Sequence, residues 1–411
     1  MIVRYHQELF MKLVDDLGEK MNLEQIDKQN VLHTYARNYV NFKKGNNAVL
    51  VDENEKDYID FTSGIGVVSV GHGNKQVADA IYEQVSNITH ISNLYLIEPQ
   101  ALLAQKINQL SGYDMAMFFA NSGAEANEGA IKIARKYGQT KFNNKRYKVI
   151  TLDHSFHGRT ITTVKATGQA KMHTDNFSPY PDGFSYKNAI KDIYTSIDDQ
   201  TVAVMIELIQ GEGGVQPFDK KDIQELAKFL KQNDILLIVD EVQTGAYRTG
   251  EFLASNLYEI EPDIITMAKG LGGGVPIGVV MTKYKDILEP GDHGSTFGGN
   301  YLVTTAANEV ITILDNLKNS GKLDETIIYF ETKLKEFYNK HQDKFTSEVG
   351  LGLMRGLRVN DDQLLTSIVN KAFDAGVLVL KAGKNTLRFL PPLTISKEEI
   401  DEGFKRLDDA I

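Results

Sequence analysis

The chain contains no cysteine, which excludes disulfides, iron–sulfur clusters and thiolate zinc sites. It also lacks any apolar run approaching the ~20 residues that span a bilayer. Positive charge is in deficit, with 45 Lys and Arg against 55 Asp and Glu and a net charge of -10. No basic patch interleaved with aromatics offsets that balance, so nucleic acid is not an expected partner. Met1–Lys12 is interrupted by Arg4, His6, Glu8 and Lys12 and lacks a signal-peptide core. A cytoplasmic enzyme without membrane contact is expected. What remains is ordinary for a globular protein: 42% hydrophobic and 24% charged residues over 411 positions, room for two or three domains.

Leu9, Leu13, Leu17 and Met21 recur at i+4, with Phe10 and Val14 beside them, and predict an amphipathic helical extension over residues 1–28. Ala48–Asp52 and Tyr58–Phe61 read as short strands around a polar turn. From residue 66 to 310 helical periods alternate with the apolar runs Met117–Ala120, Val149–Leu152, Val202–Ile206, Ile235–Val239, Ile264–Ala268 and Ile277–Met281. That alternation predicts an α/β body with a mostly parallel sheet between helices. The last hundred residues predict helices near 300–317 and 322–343, then short runs at Gly352–Val359, Val377–Leu380 and Thr386–Phe389. A final helix is capped at Ser396. The expected division is a large domain at 66–310 and a smaller α+β domain from 29–65 and 311–411.

Lys269 closes the run Ile264–Ala268 and opens the glycine turn Gly270–Gly274. Desolvation there favours a neutral, nucleophilic amine suited to a Schiff base. Asp240 likewise leaves the apolar run Ile235–Val239. An acid to hold a pyridine nitrogen protonated and an amine to meet an aldehyde are what pyridoxal phosphate requires.

Other segments are compatible with the same site. Ser122 and Gly123 begin a helix, either as a plain N-cap or as a phosphate seat. Phe156 is placed to stack on a ring, and Arg159 to clamp a carboxylate. His154 and His157 lack a third ligand nearby, so no metal is expected. Glycines flank Glu212 in either a tight turn or a close approach to a ligand. Ser295-Thr296 in a glycine turn before a helix is a second possible phosphate contact, and Arg388 is a charge inside an apolar strand that calls for a partner. No P-loop is present, and Gly270–Gly278 does not fit a dinucleotide fingerprint.

Seven motifs carry a resemblance: NSGAEANE at 121–128, HSFHGRT at 154–160, QGEGG at 210–214, DEVQTG at 240–245, AKGLGGG at 268–274, GSTFGGN at 294–300 and LRFLPPL at 387–393. From about Val31 to its end the chain resembles the class III (ω-)aminotransferases, pyridoxal-phosphate enzymes of fold-type I, and within them the acetylornithine group. The resemblance implies Ser122, Gly123 and Ala124 on the cofactor phosphate, Phe156 on its ring, and Gln243 on the ring oxygen. It makes Asp240 the partner of the pyridine nitrogen and Lys269 the Schiff-base lysine. Thr296 would reach the phosphate bound by the neighbouring subunit of a homodimer. Arg159 would take the donor α-carboxylate, with Tyr35 and Ile65 as further substrate contacts. Arg388 would take the second carboxylate of 2-oxoglutarate, or pair with Glu212 when the donor has none. The implied reaction is transamination of N-acetylornithine with 2-oxoglutarate, giving N-acetylglutamate 5-semialdehyde and glutamate, a step of arginine biosynthesis.

Ornithine, 4-aminobutyrate and succinylornithine are alternative donors, and a racemase or epimerase is an alternative reaction. Ile65 and the turn at 294–300 favour the acetylornithine group, and Glu212 with Arg388 disfavours the racemase. Departures from the family pattern are Leu208 for a proline, Asn74 where a His-Pro pair is frequent, and Tyr247 for a glycine, expected to narrow the site entrance.

Overall fold

Seven strands form the central sheet of the computed structural model, which describes residues 22–411. Their order is Ala116–Ala120, Gly278–Thr282, Ile264–Met267, Leu236–Asp240, Thr201–Ile206, Lys148–Leu152 and Phe184–Lys187. All run parallel except Gly278–Thr282, which is antiparallel to both neighbours. The fold is therefore the expected mixed α/β one. Thr201–Ile206 and Leu236–Asp240 are buried at every position, as strands covered on both faces must be.

The covering helices follow from caps and apolar stripes. Lys220–Gln232 starts at Asp219, whose carboxylate accepts the N–H groups of Lys221 and Asp222, and it buries Ile223, Leu226 and Leu230. Each such side chain contributes about 1.5–3 kcal/mol of burial. Leu226→Ala would remove about 2–5 kcal/mol. On the other face Gly123–Lys141 buries Ala126, Ala130, Ile131 and Ala134, with the polar Asn127 on the same stripe. Asn74 caps Lys75–Asn87 by accepting from Gln76 and Val77, so this departure from the family pattern has a local role.

Both ends of the described chain meet in smaller sheets. Phe42–Asn46, Val49–Asp52 and Asp57–Asp60 are joined by Val377–Leu378, parallel to Asp57–Asp60. Phe345–Leu351, Met354–Val359, Thr386–Phe389 and Leu380–Ala382 form an antiparallel sheet. The run expected at Val377–Leu380 is thus two strands, one in each sheet. A single apolar cluster reaches from Phe61 through Ile265 and Met281 to Phe389 and Leu407. Residue 310 falls inside the helix Tyr301–Asn319. Leu9, Phe10, Leu13, Val14, Leu17 and Met21 lie outside the described residues. Within them, the 1–28 extension ends inside the helix Leu23–Asn30, two residues short of its end, and that helix is capped by Asn22.

Tyr247 is a correction. It is buried, packs edge-on against Phe252 at 5.4 Å, and donates its hydroxyl to Asp315 at 2.7 Å. A tyrosine replacing glycine here fills the core rather than narrowing the site. No helix among the described residues is long and apolar enough to cross a membrane.

Candidate active site

The strands Ala116–Ala120, Lys148–Leu152, Thr201–Ile206, Leu236–Asp240 and Ile264–Met267 share one direction, so the segments leaving their carboxyl ends converge. They enclose a cavity of about 390 Å³. Ser122, Gly123, Ala124, Phe156, Arg159, Glu212, Asp240, Gln243 and Lys269 all line it. Nine of the expected site residues are therefore brought together from five separate stretches of chain.

At one end, Ser122 caps the helix Gly123–Lys141. Its hydroxyl accepts from Glu125 N–H and its carbonyl from Ala126 N–H. Among the described residues the amides of Gly123 and Ala124 have no acceptor. They sit at the positive end of a 19-residue helix, a seat for an anion such as a phosphate. A Cβ at Gly123 would collide with Val242, so glycine keeps this approach open.

Asp240 is buried at the cavity wall. Its Oδ2 accepts from Asn127 Nδ2 and lies against His157 Nδ1, both at 2.8 Å, and its Oδ1 accepts from Val242 N–H at 3.0 Å. A carboxylate has about four acceptor sites. Three are used, which leaves one for a protonated ring nitrogen. Asn127 is itself held by Thr266, which donates to its Oδ1 at 2.7 Å. Sequence reasoning missed Asn127 and gave His157 only a discarded metal role. A polar residue on the buried stripe of a helix was the available signal for Asn127. No cluster of metal-ligating side chains occurs among the described residues.

Lys269 is half-buried, its remaining exposure opening on the cavity it lines. Its φ of 45° is in the left-handed region, a strain of ~1–3 kcal/mol that the surrounding fold enforces. Burial lowers the ammonium below the ordinary lysine range. Arg388 adds to this, while Glu212, Asp240 and Glu207 oppose it.

Arg388 is buried, just behind the lining. Its Nη1 donates to Glu212 Oε1 at 2.6 Å and to Gln243 Oε1 at 3.4 Å. Burial resists ionisation of Glu212, but the charge and hydrogen bond of Arg388 outweigh it and hold the carboxyl below its usual range. Glu207, another acid missed as a site residue, lines the same cavity. Burial pushes its carboxyl up to about 7, with His157 opposing and Asp240 reinforcing the rise.

A second cavity of about 1320 Å³ shares Phe156, Arg159, Glu212 and Lys269 with the first and adds Tyr35 and Ile65. The Arg159 guanidinium sits 5.6 Å from the centre of the Phe156 ring. Ile65 has a φ of 68°, rare for a β-branched residue. Thr296 stands apart, in a hollow with Asn121, Glu125, Glu128 and His293 rather than beside Lys269.

The arrangement offers an anion seat, an aromatic face, an acid for a ring nitrogen and a desolvated amine, a donor set that fits pyridoxal phosphate. Comparisons with known proteins agree. The chain is 57% identical to the acetylornithine aminotransferase of Wolinella succinogenes over 94% of its own length and 99% of the relative's. It is 43% identical to the Aquifex aeolicus acetylornithine aminotransferase over 93% and 99%. Its fold matches the ornithine aminotransferase of Toxoplasma gondii with a TM-score of 0.89, at 31% identity over 97% of both chains. For the N-acetylornithine aminotransferase of Stenotrophomonas maltophilia the TM-score is 0.79, at 30% identity over 94% and 98%. The family model Aminotransferase class-III matches residues 32–411, and the chain belongs to that family.

Proposed function

We propose that this enzyme transfers the δ-amino group of N-acetylornithine to 2-oxoglutarate, the arginine-biosynthetic transamination, using pyridoxal phosphate in the cytoplasm. The observation that carries the transamination with 2-oxoglutarate is the Arg388–Glu212 pair at 2.6 Å on the cavity that holds Lys269, while the choice of donor rests on Ile65 and the turn at 294–300. One reactant has two carboxylates and the other has one. A buried guanidinium left alone costs about 3–5 kcal/mol, so a neighbouring acid that covers it in one half-reaction and yields in the other serves both.

Bound pyridoxal phosphate supplies an aldehyde for amine exchange and a ring that accepts electrons. Ser122, Gly123 and Ala124 would hold its phosphate, and Phe156 and Gln243, which line the same cavity, would hold its ring. Asp240 holds the proton on the pyridine nitrogen, with Asn127 and His157 fixing the carboxylate. Lys269 Nζ, left unprotonated because burial lowers its proton affinity, removes the proton from the donor Cδ and returns one. Arg159 orients the α-carboxylate, while Tyr35 and Ile65 line the outer chamber where the acetamido group rests. Glu212 neutralises Arg388 while this donor is present and yields it to the second carboxylate of 2-oxoglutarate.

We also place Thr296 across a homodimer, on the cofactor phosphate of the neighbouring subunit. Leu94, Tyr95 and Leu96 are exposed on a segment tied to the Thr296 turn, since Asn93 Nδ2 donates to the carbonyls of Ser295 and Gly298. Such an apolar stretch fits a subunit contact. The division into a body at 66–310 and a smaller part from 29–65 and 311–411 belongs to the same proposal.

A panel of donors assayed with 2-oxoglutarate tests the reading. N-acetylornithine should exceed ornithine and 4-aminobutyrate in kcat/KM by at least roughly tenfold, about 1.4 kcal/mol in the transition state. Ile65 offers a free α-amine no polar contact, and Arg159 has no α-carboxylate to hold in 4-aminobutyrate. Equal turnover of 4-aminobutyrate would leave only a broader ω-aminotransferase.

A further inference from the structure

Three acids line the central cavity, and the reaction proposed above gives tasks to two of them, Asp240 and Glu212. The third is Glu207. Its Oε1 accepts from Phe156 N–H at 2.8 Å and its Oε2 from Gly211 N–H at 3.2 Å. One carboxylate therefore spans two loops that leave neighbouring strands and are 51 and 4 residues away from it in sequence. We propose that Glu207 is a positioning residue, which ties the Phe156 segment to the Glu212 loop and so sets where the gate at Arg388 stands.

Gly211 directly precedes Glu212, and a Cβ on it would collide with the Gln243 amide. That amide oxygen also accepts from Arg388. On its other side the Glu212 carbonyl accepts from Gly383 N–H at 2.9 Å, in the loop that leads into the Arg388 strand. The main chain at Glu212 is thus held from both directions while its side chain reaches into the cavity. A gate of this kind turns a side chain without moving a loop. A parallel tie exists where Gln210 Nε2 donates to Asp153 O at 2.9 Å, but it does not reach Phe156 or Gly211.

Two acceptors on one side chain are what the position uses. A glutamine has one carbonyl oxygen, and its NH₂ would face the second backbone N–H. At pH 8 the wild-type group is ionised, and an ionised acceptor makes the stronger bonds. Glu207→Gln therefore breaks one arm while preserving size.

The inference rests on the gate reading above, and its test separates the two. In Glu207→Gln holoenzyme at pH 8, hydrogen–deuterium exchange of peptides covering 153–159 and 207–214 should accelerate about tenfold or more in one of the two arms and measurably in the other. KM for 2-oxoglutarate should rise about tenfold, with the N-acetylornithine KM within about twofold of wild type. Unchanged exchange in either peptide, or an equal rise in both KM values, would overturn the role. Wild-type protein unable to use 2-oxoglutarate would instead end the gate reading, and the exchange result would still judge Glu207. Should Glu207→Gln not fold, Gln210→Ala decides. Both peptides staying protected supports Glu207 as the tie, and both loosening assigns that part to Gln210.

Discussion

His157 Nδ1 lies 2.8 Å from Asp240 Oδ2, and both side chains are closed off from bulk solvent. The imidazole and Asn127 share that oxygen and leave the carboxylate one free acceptor site toward the cavity. Asp240→Asn should keep this geometry and bind pyridoxal phosphate, yet kcat should fall by at least ~100-fold, since a neutral amide no longer holds the ring nitrogen protonated. Cofactor titration beside steady-state rates checks this. A variant near wild-type rate would remove Asp240 from the proposed role.

Lys269→Ala should abolish turnover and leave no borohydride-reducible adduct on the protein. Lys269 is the lysine lining the central cavity, where burial lowers its proton affinity. Mass spectrometry after reduction would locate any adduct, and one on a different lysine would overturn the assignment.

Removing Glu212 leaves Arg388 buried beside Gln243 alone. Glu212→Ala should slow the N-acetylornithine half-reaction at least about tenfold more than the glutamate half-reaction, because only glutamate brings its own second carboxylate. Single-turnover absorbance with each substrate measures both. Equal losses would mean that Glu212 does not act as a gate.

The pH dependence of stability follows from Glu207. Its folded value of about 7 lies above the ordinary 4.5, so the folded protein holds a proton there that the unfolded chain gives up. The contribution is complete below 4.5 and is lost as pH rises toward 7. Glu207→Gln does not titrate. The melting temperature of wild type relative to this variant should therefore drop by about a few degrees between about pH 5 and 8. A pH-independent difference would show that the carboxyl does not titrate in this window.

Subunit sharing predicts a dimer by light scattering at working concentration. Mixing inactive Lys269→Ala with an inactivated Thr296→Ala should restore partial activity in heterodimers, because each carries one site with both residues intact. A monomer with full activity would refute the shared site.

Several features were readable from sequence for a local physical reason. Strands buried on both faces must be apolar throughout, so Thr201–Ile206 and Leu236–Asp240 appear as plain runs, and the acid at the end of the second stands out as Asp240. Phe184–Lys187 escaped notice because an edge strand, half-buried at each position, has no such run. Phe345–Leu351 escaped because its middle is polar and only partly covered. Lys269, Asp240, Ser122 and Phe156 stood out because each follows a strand or starts a helix.

Only the tertiary structure decided who holds these groups. Asn127 and His157 are 113 and 83 residues from Asp240, and nothing local marks them as its partners. Arg388 and Glu212, 176 residues apart, were expected as partners only through the family resemblance, and packing turned Tyr247 from a residue at the site entrance into core. Local sequence determines which groups leave a strand end, since period and capping act over a few residues. Which groups then meet depends on strand order, and strand order is settled by how the whole sheet buries its two faces.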